Sequence, residues 1–227
     1  DTTAEPITVR AVLSHHAGLP TDLNKGMWSE QPFVEVAAKL QDEYTAFPPN
    51  LIFAYSNLGY TLLGHMLANV SGIPYSRFMQ ERIFLPMGMD SSLVAVQPMQ
   101  GEHAAKGYRQ GQESVLLPIR DLPSHGLLTS SADLARFMVS VLNPGEAQEQ
   151  RAPDLNVATL EEMFEPQNEH IALDLDVVNG LGWFLEDGSI PGEEGVIRIR
   201  LERGKAVFTV KLGALKDGLA SDQEYEE

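Results

Sequence analysis

The stretch FAYSNLGY (residues 53–60) sets Tyr55 two residues before Asn57, at the mouth of an apolar segment with helical spacing. A phenol and a carboxamide side by side on a turn can move a proton and orient a carbonyl, which is what a nucleophile needs beside it. The pair also has a plain structural reading, a tyrosine ahead of a helix and an asparagine at its N-cap. His15 and His16 follow a short helix, but by sequence alone no serine or carboxylate stands beside them to make a triad. His65 falls at a polar position of an apolar helix and His125 before a Gly-Leu-Leu turn, and both read as structural. Ser56, Ser130 and Ser131 carry hydroxyls, and the last two are better explained as helix caps. Near the C-terminus Arg198, Arg200 and Lys211 alternate with apolar residues and share one strand face, which as a bare pattern is a solvated face.

These residues need elements to hold them. ITVRAVLSHHAGLP (7–20) predicts a short helix capped by Thr8, with Val12 and Leu13 inward and Gly18 as the stop. Residues 20–50 read as loop, with one amphipathic helix around Phe33–Leu40, and FPPN then forces an extended approach to Tyr55. From Asn57 the apolar residues Leu58, Leu62, Leu63, Met66, Leu67 and Val70 recur at helical spacing up to Gly72. A second helix starts at Pro74, with Tyr75, Phe78, Met79 and Ile83 on its apolar face. Short strands and turns are expected over 90–128. A helix follows in TSSADLARFMVSVLNPG, with Asp133 in its first turn and Leu134, Phe137, Met138, Val141 and Leu142 inward. VATLEEMF reads as a short helix and GLGWFLEDG as a strand and turn. VIRIRL and AVFTVKL, joined by ERGK, predict a β-hairpin.

The 227 residues suffice for one large or two small domains with a buried core. The formal charge of −16 repels phosphate, which argues against a nucleic-acid or anionic-membrane partner. With no cysteine there is no disulfide or thiolate metal site. No apolar run reaches membrane-span length, and the polar opening DTTAEPITVR is unlike a signal peptide, so location stays open. Residues 193–227 hold six basic and eight acidic residues, while 1–192 hold ten and twenty-four. That shift places an expected boundary near residue 192.

Three segments together resemble the serine β-lactamase and penicillin-binding-protein superfamily, in the branch of class C β-lactamases, D-alanyl-D-alanine carboxypeptidases and related esterases. They are ITVRAVLSHHAGLP, FAYSNLGYTLLGHMLANVSGIPYSRFMQERIFLPMGMDSS (53–92) and HGLLTSSADLARFM (125–138), with GLGWFL (180–185) as a fourth. The resemblance implies acyl transfer through a serine of a Ser-x-x-Lys motif. Tyr55 would match the family tyrosine that shuttles protons to the leaving group, and Asn57 the asparagine that holds the substrate amide and the lysine. A late Lys-Thr-Gly or His-x-Gly strand would complete the oxyanion site. No serine of this chain has lysine three residues on, and SIPG is followed by EEGVIRIRLERGKAVFTVKLG rather than His-x-Gly. The expectation is therefore a truncated domain, residues 1–192, that is inactive as this chain.

The segment VIRIRLERGKAVFTVKLGALKDGLASDQEYEE in turn resembles the CYTH family of triphosphate-tunnel proteins. That resemblance implies a phosphate-binding role for Arg198, Arg200 and Lys211 and a divalent-metal role for Glu224 and Glu226. The expected architecture is α+β: a partial serine β-lactamase-like fold, helical subdomain plus part of the sheet, with an appended hairpin over 193–227. The expected function is acyl-serine hydrolysis or transfer on a small amide or ester substrate. It needs no cofactor, and its partner is a missing N-terminal part or a second copy of the chain. The alternatives are a triphosphate module using Mg²⁺ and a non-catalytic oligomerising protein.

Overall fold

A computed structural model of the chain describes residues 6–23, 27–30, 32, 35, 40, 45–97, 104–114, 117–142, 156–175, 177–185, 197–202 and 205–210. The chain divides into two compact units, Asp1–Phe184 and Leu185–Glu227.

In the first unit, helix α1 is Val9–Leu13, and its cap is Thr8, whose hydroxyl accepts from the Ala11 N–H. Helix α2 is Asn57–Ser71 and ends at Gly72, which takes the left-handed conformation at φ 72°. Its N-cap is Ser56, not Asn57: the Ser56 hydroxyl accepts from the Gly59 N–H at 2.9 Å. This corrects the capping reading of Asn57 and frees its side chain for other work. The spacing of leucines located α2 and Gly72 its end, but not which of its apolar residues are buried. Leu58, Gly59, Thr61 and Gly64 are buried, whereas Val70 is 84% exposed and Met66 also faces out. Gly64 is buried because a Cβ there would fall 2.2 Å from Pro123 of helix α4 (Leu122–His125), so only a glycine lets the two helices touch.

Helix α3, Tyr75–Met79, starts after Pro74 and runs into one π-turn over Gln80–Phe84. Phe84, Met87 and Met89 make a core cluster with Met79, Ile83, Val94 and Phe137. Strand β1 (Leu93–Val94) pairs antiparallel with β4 (Leu127–Leu128), and β2 (Tyr108–Arg109) with β3 (Gln112–Glu113). Helix α5, Ser131–Leu142, is capped by Ser130, which accepts from the Asp133 N–H. Leu134, expected inward, is 43% exposed, because buried Asp133 takes the inner side of that turn. Asp133 accepts from Ser91 N–H, Ser92 Oγ and Arg136 Nη1. Burial opposes its charge, but these donors, Ser92 foremost, hold its carboxyl below the usual range. Helix α6 (Val157–Phe164) is capped by Asn156 and precedes the paired strands β5 (Val178–Asn179) and β6 (Phe184–Leu185).

In the second unit, β7 (Ile197–Glu202) and β8 (Lys205–Val210) form the expected antiparallel hairpin. Its register sets Ile199 opposite Phe208 and Leu201 opposite Ala206, the pairing that strict alternation requires. The amphipathic helix expected around Phe33–Leu40 lies largely outside the described residues.

Candidate active site

Two segments far apart in sequence close around the start of α2. The carbonyls of His15 and His16 accept from Ala54 N–H and Asn50 N–H, both at 2.8 Å, and Leu58 N–H donates to Thr21 O at 3.0 Å. Gly18, at φ 66°, lets this clasp shut: Ala46 N–H reaches its carbonyl at 2.7 Å, and a Cβ would lie 1.9 Å from Phe47 O. The Ser56 hydroxyl donates to Pro20 O at 2.7 Å while capping α2, so one side chain fixes both the helix and the facing loop. Replacing Ser56 by alanine is expected to cost about 1–2 kcal/mol, read from the urea midpoint.

The expected pair meets. Tyr55 Oη donates to Asn57 Oδ1 at 2.9 Å, and Asn57 Nδ2 donates to Asp22 Oδ1 at 3.1 Å. Tyr55 is 47% exposed, so its hydroxyl is open to a molecule arriving from solvent. Its ring rests on His15 at 4.7 Å between centroids, and His15 in turn lies 5.0 Å from Tyr60. Tyr60 donates to Leu13 O, and burial, with Tyr55 nearby, pushes its phenol up to about 12. Tyr60 is thus a fixed wall rather than an acid or base.

His15 is buried at φ 62°, strained for a residue with a Cβ. Its Nδ1 accepts from the Ser56 N–H at 3.1 Å, a bond that only an unprotonated nitrogen can make. Burial, with His16 beside it, pushes its pKa down to about 4. The folded state therefore resists a proton that the unfolded chain accepts near pH 6.5. The stability this provides is complete above pH 6.5 and is lost as pH falls toward 4. Between pH 7.5 and 4.5 the urea midpoint is expected to drop by the equivalent of about 2 kcal/mol. In His15→Asn, which tolerates the positive φ, that part of the slope should vanish.

His16 has partners that the sequence did not reveal. Its Nε2 lies 2.6 Å from Asp174 Oδ2 and its Nδ1 lies 3.0 Å from Ser14 Oγ. The set Ser14, His16, Asp174 has the composition of a catalytic triad but not its function. His16 is 1% exposed, Ser14 is buried, and the Ser14 hydroxyl also bonds Arg10 O. The nitrogens are used the opposite way round from a serine protease, where Nε2 faces the serine and Nδ1 the aspartate. Asp174 instead joins three segments: Phe53 N–H donates to its Oδ1 at 2.6 Å, and Asn168 Nδ2 to its Oδ2 at 2.5 Å. Burial opposes its charge, but the donors from Asn168, His16 and Phe53 hold its carboxyl below the usual range. A second buried pair, Arg120 with Asp121, anchors the loop below the site by donating from Nη2 to Leu23 O.

The remaining expected residues are placed as follows. His125 bonds Ser124 and His65 bonds Asn69, both in structural settings. Arg198 and Arg200 stand on β7, opposite Thr209 and Val207. Lys211, Glu224 and Glu226 lie outside the described residues. Among the described residues no group of histidine and carboxylate side chains is arranged to hold a metal, and no helix is long and apolar enough to cross a membrane.

Known proteins resemble this chain in sequence and in fold. The family model described as Beta-lactamase matches residues 1–210, across the hairpin as well as the helical unit. A β-lactamase of Escherichia coli K12 is 26% identical over 174 residues, covering 74% of this chain and 44% of that protein. Among solved structures, a penicillin-binding protein from Bacillus halodurans superposes with a TM-score of 0.61 at 20% identity, over 90% of this chain and 63% of that one. A β-lactamase/D-alanine carboxypeptidase from Pseudomonas syringae gives 0.60 at 23% identity, over 78% and 48%. The chain spans less than half the length of the curated relatives it matches. The triphosphate-site reading of Arg198, Arg200, Lys211, Glu224 and Glu226 draws no support from these matches.

Proposed function

The chain belongs to the beta-lactamase family, and from that premise we propose that it supplies the proton-transfer and substrate-positioning half of an acyl-serine site. The observation that carries this reading is the 2.9 Å bond from the Tyr55 hydroxyl to Asn57 Oδ1 at the capped start of α2. In the proposed reaction a serine hydroxyl attacks the carbonyl carbon of an amide, lactam or ester. Tyr55 relays the serine proton to the leaving group as the acyl bond breaks, and water later releases the acyl group by the same route. Asn57 orients the substrate carbonyl region. Residues 1–227 contain no Ser-x-x-Lys, so the nucleophile belongs to another polypeptide segment, and the chain by itself forms no acyl-enzyme. This chemistry needs no metal or organic cofactor.

The test is complementation. The chain is co-expressed with a segment of a relative that carries Ser-x-x-Lys, and hydrolysis of a chromogenic lactam and of a simple ester is followed. Turnover by the complex, absent from either piece, is the expected result. A stable complex without turnover on either substrate overturns the reading.

A further inference from the structure

The hydrogen-bond chain at the site does not stop at Asn57. Its amide nitrogen donates to Asp22, 35 positions earlier in the chain. The loop bearing Asp22 is fastened just ahead of it, by Ser56 Oγ on Pro20 O and by Leu58 N–H on Thr21 O. Leu23, the next residue, packs with Leu58 in a core cluster. The carboxylate is therefore held against the first turn of α2 by the elements that build the site.

A carboxamide has a donor end and an acceptor end of nearly the same shape, and either can face a hydroxyl. An ionised carboxylate only accepts. With Nδ2 committed to Asp22, Asn57 presents Oδ1 to Tyr55, and the phenol has to donate. We propose that Asp22 is a positioning residue of this site, fixing the direction of the chain Tyr55 → Asn57 → Asp22 so that Tyr55 offers oxygen lone pairs, not its proton, on its exposed side. The chemical meaning rests on the acyl-serine reading, in which the Tyr55 oxygen accepts the proton of the attacking hydroxyl while its own proton leaves Asn57 Oδ1 for the leaving group. The geometry itself does not depend on that reading.

The experiment uses the full chain labelled with ¹⁵N-asparagine and with ¹³C at the tyrosine ζ-carbon, the Asn57 and Tyr55 signals being assigned by their loss in Asn57→Ser and Tyr55→Phe. The Asn57 side-chain amide protons are expected to shift on acidification, as the carboxylate they bond is neutralised. That shift should be lost in Asp22→Asn, and the Tyr55 ζ-carbon signal should move in the same variant while the melting midpoint holds. His15, the other titrating group beside Ser56, is common to both proteins, so its share cancels in the comparison. An acid-induced shift of equal size in Asp22→Asn, or a Tyr55 signal unmoved by that substitution, overturns the proposal. Should the variant fail to fold, an Asn57 amide that ignores pH in the parent chain overturns it equally. In the complemented assay Asp22→Asn is expected to lower kcat with KM little changed. Failure of all turnover with the spectroscopic result intact removes the acyl-serine reading and leaves the positioning role standing.

Discussion

Asp174→Ala is expected to lower the unfolding free energy by about 3–5 kcal/mol, the cost of removing the shared acceptor of a buried hydrogen-bond network. The carboxylate is 5% exposed and accepts from His16, Asn168 and the Phe53 N–H. Truncation leaves all three donors buried without it, and each such loss is worth about 1–3 kcal/mol. The Asn168 carboxamide closes the same loop by bonding Val177 O and the Asn179 N–H, so the damage should spread through residues 168–179. The sign of the pH dependence follows from the depressed carboxyl. Its contribution is complete above the unfolded value of about 3.9 and is lost as pH falls through the lower folded value. Parent protein should therefore show a further loss of stability below about pH 4 that Asp174→Asn lacks. Urea titrations of parent, Asp174→Ala and Asp174→Asn across that range check both statements. A cost under about 1 kcal/mol for the alanine variant would mean that the three segments are held together without Asp174.

Tyr55→Phe in the complemented protein is expected to reduce kcat by about 10²–10⁴-fold, the usual contribution of a positioned acid–base group. The substitution removes one oxygen from a half-exposed side chain and leaves the ring on His15, so folding should be little affected. Tyr60→Phe is the control. It sits on the same imidazole, but its hydroxyl is committed to Leu13 O, so its loss should reduce stability by about 1 kcal/mol without a comparable loss of turnover. Steady-state rates and melting curves on the two variants separate a chemical role from a structural one. Equal rate losses would place the role in the aromatic stack rather than in the Tyr55 hydroxyl.

The parts of this protein that sequence makes legible are those written in local spacing. Tyr-x-Asn before a run of leucines located both the pair and α2, and Gly72 marked its end at a left-handed backbone. Alternation located the β7–β8 hairpin and its register. What sequence could not supply is what faces each element. The spacing of Met66 and Val70 looks the same as that of Leu58 and Leu62, and only the position of α4 decides which are buried. The Ser56 cap was hidden because a serine next to an asparagine leaves two candidates for one position. His16 and Asp174 are 158 positions apart, and Asp22 and Asn57 are 35 apart. Neither partnership has a periodicity to reveal it. A Ser-His-Asp combination found in space still required its burial and nitrogen usage to be read as a tie rather than a catalyst.

The central claim is that this chain holds the acid–base and positioning groups of an acyl-serine site while the nucleophile lies elsewhere. Intact-mass measurement after incubation with benzylpenicillin and, separately, with a fluorophosphonate tests it most directly. The account predicts an unchanged mass for the chain alone. Rapid, stoichiometric addition of the acyl or phosphonyl group to a serine of residues 1–227 would contradict it.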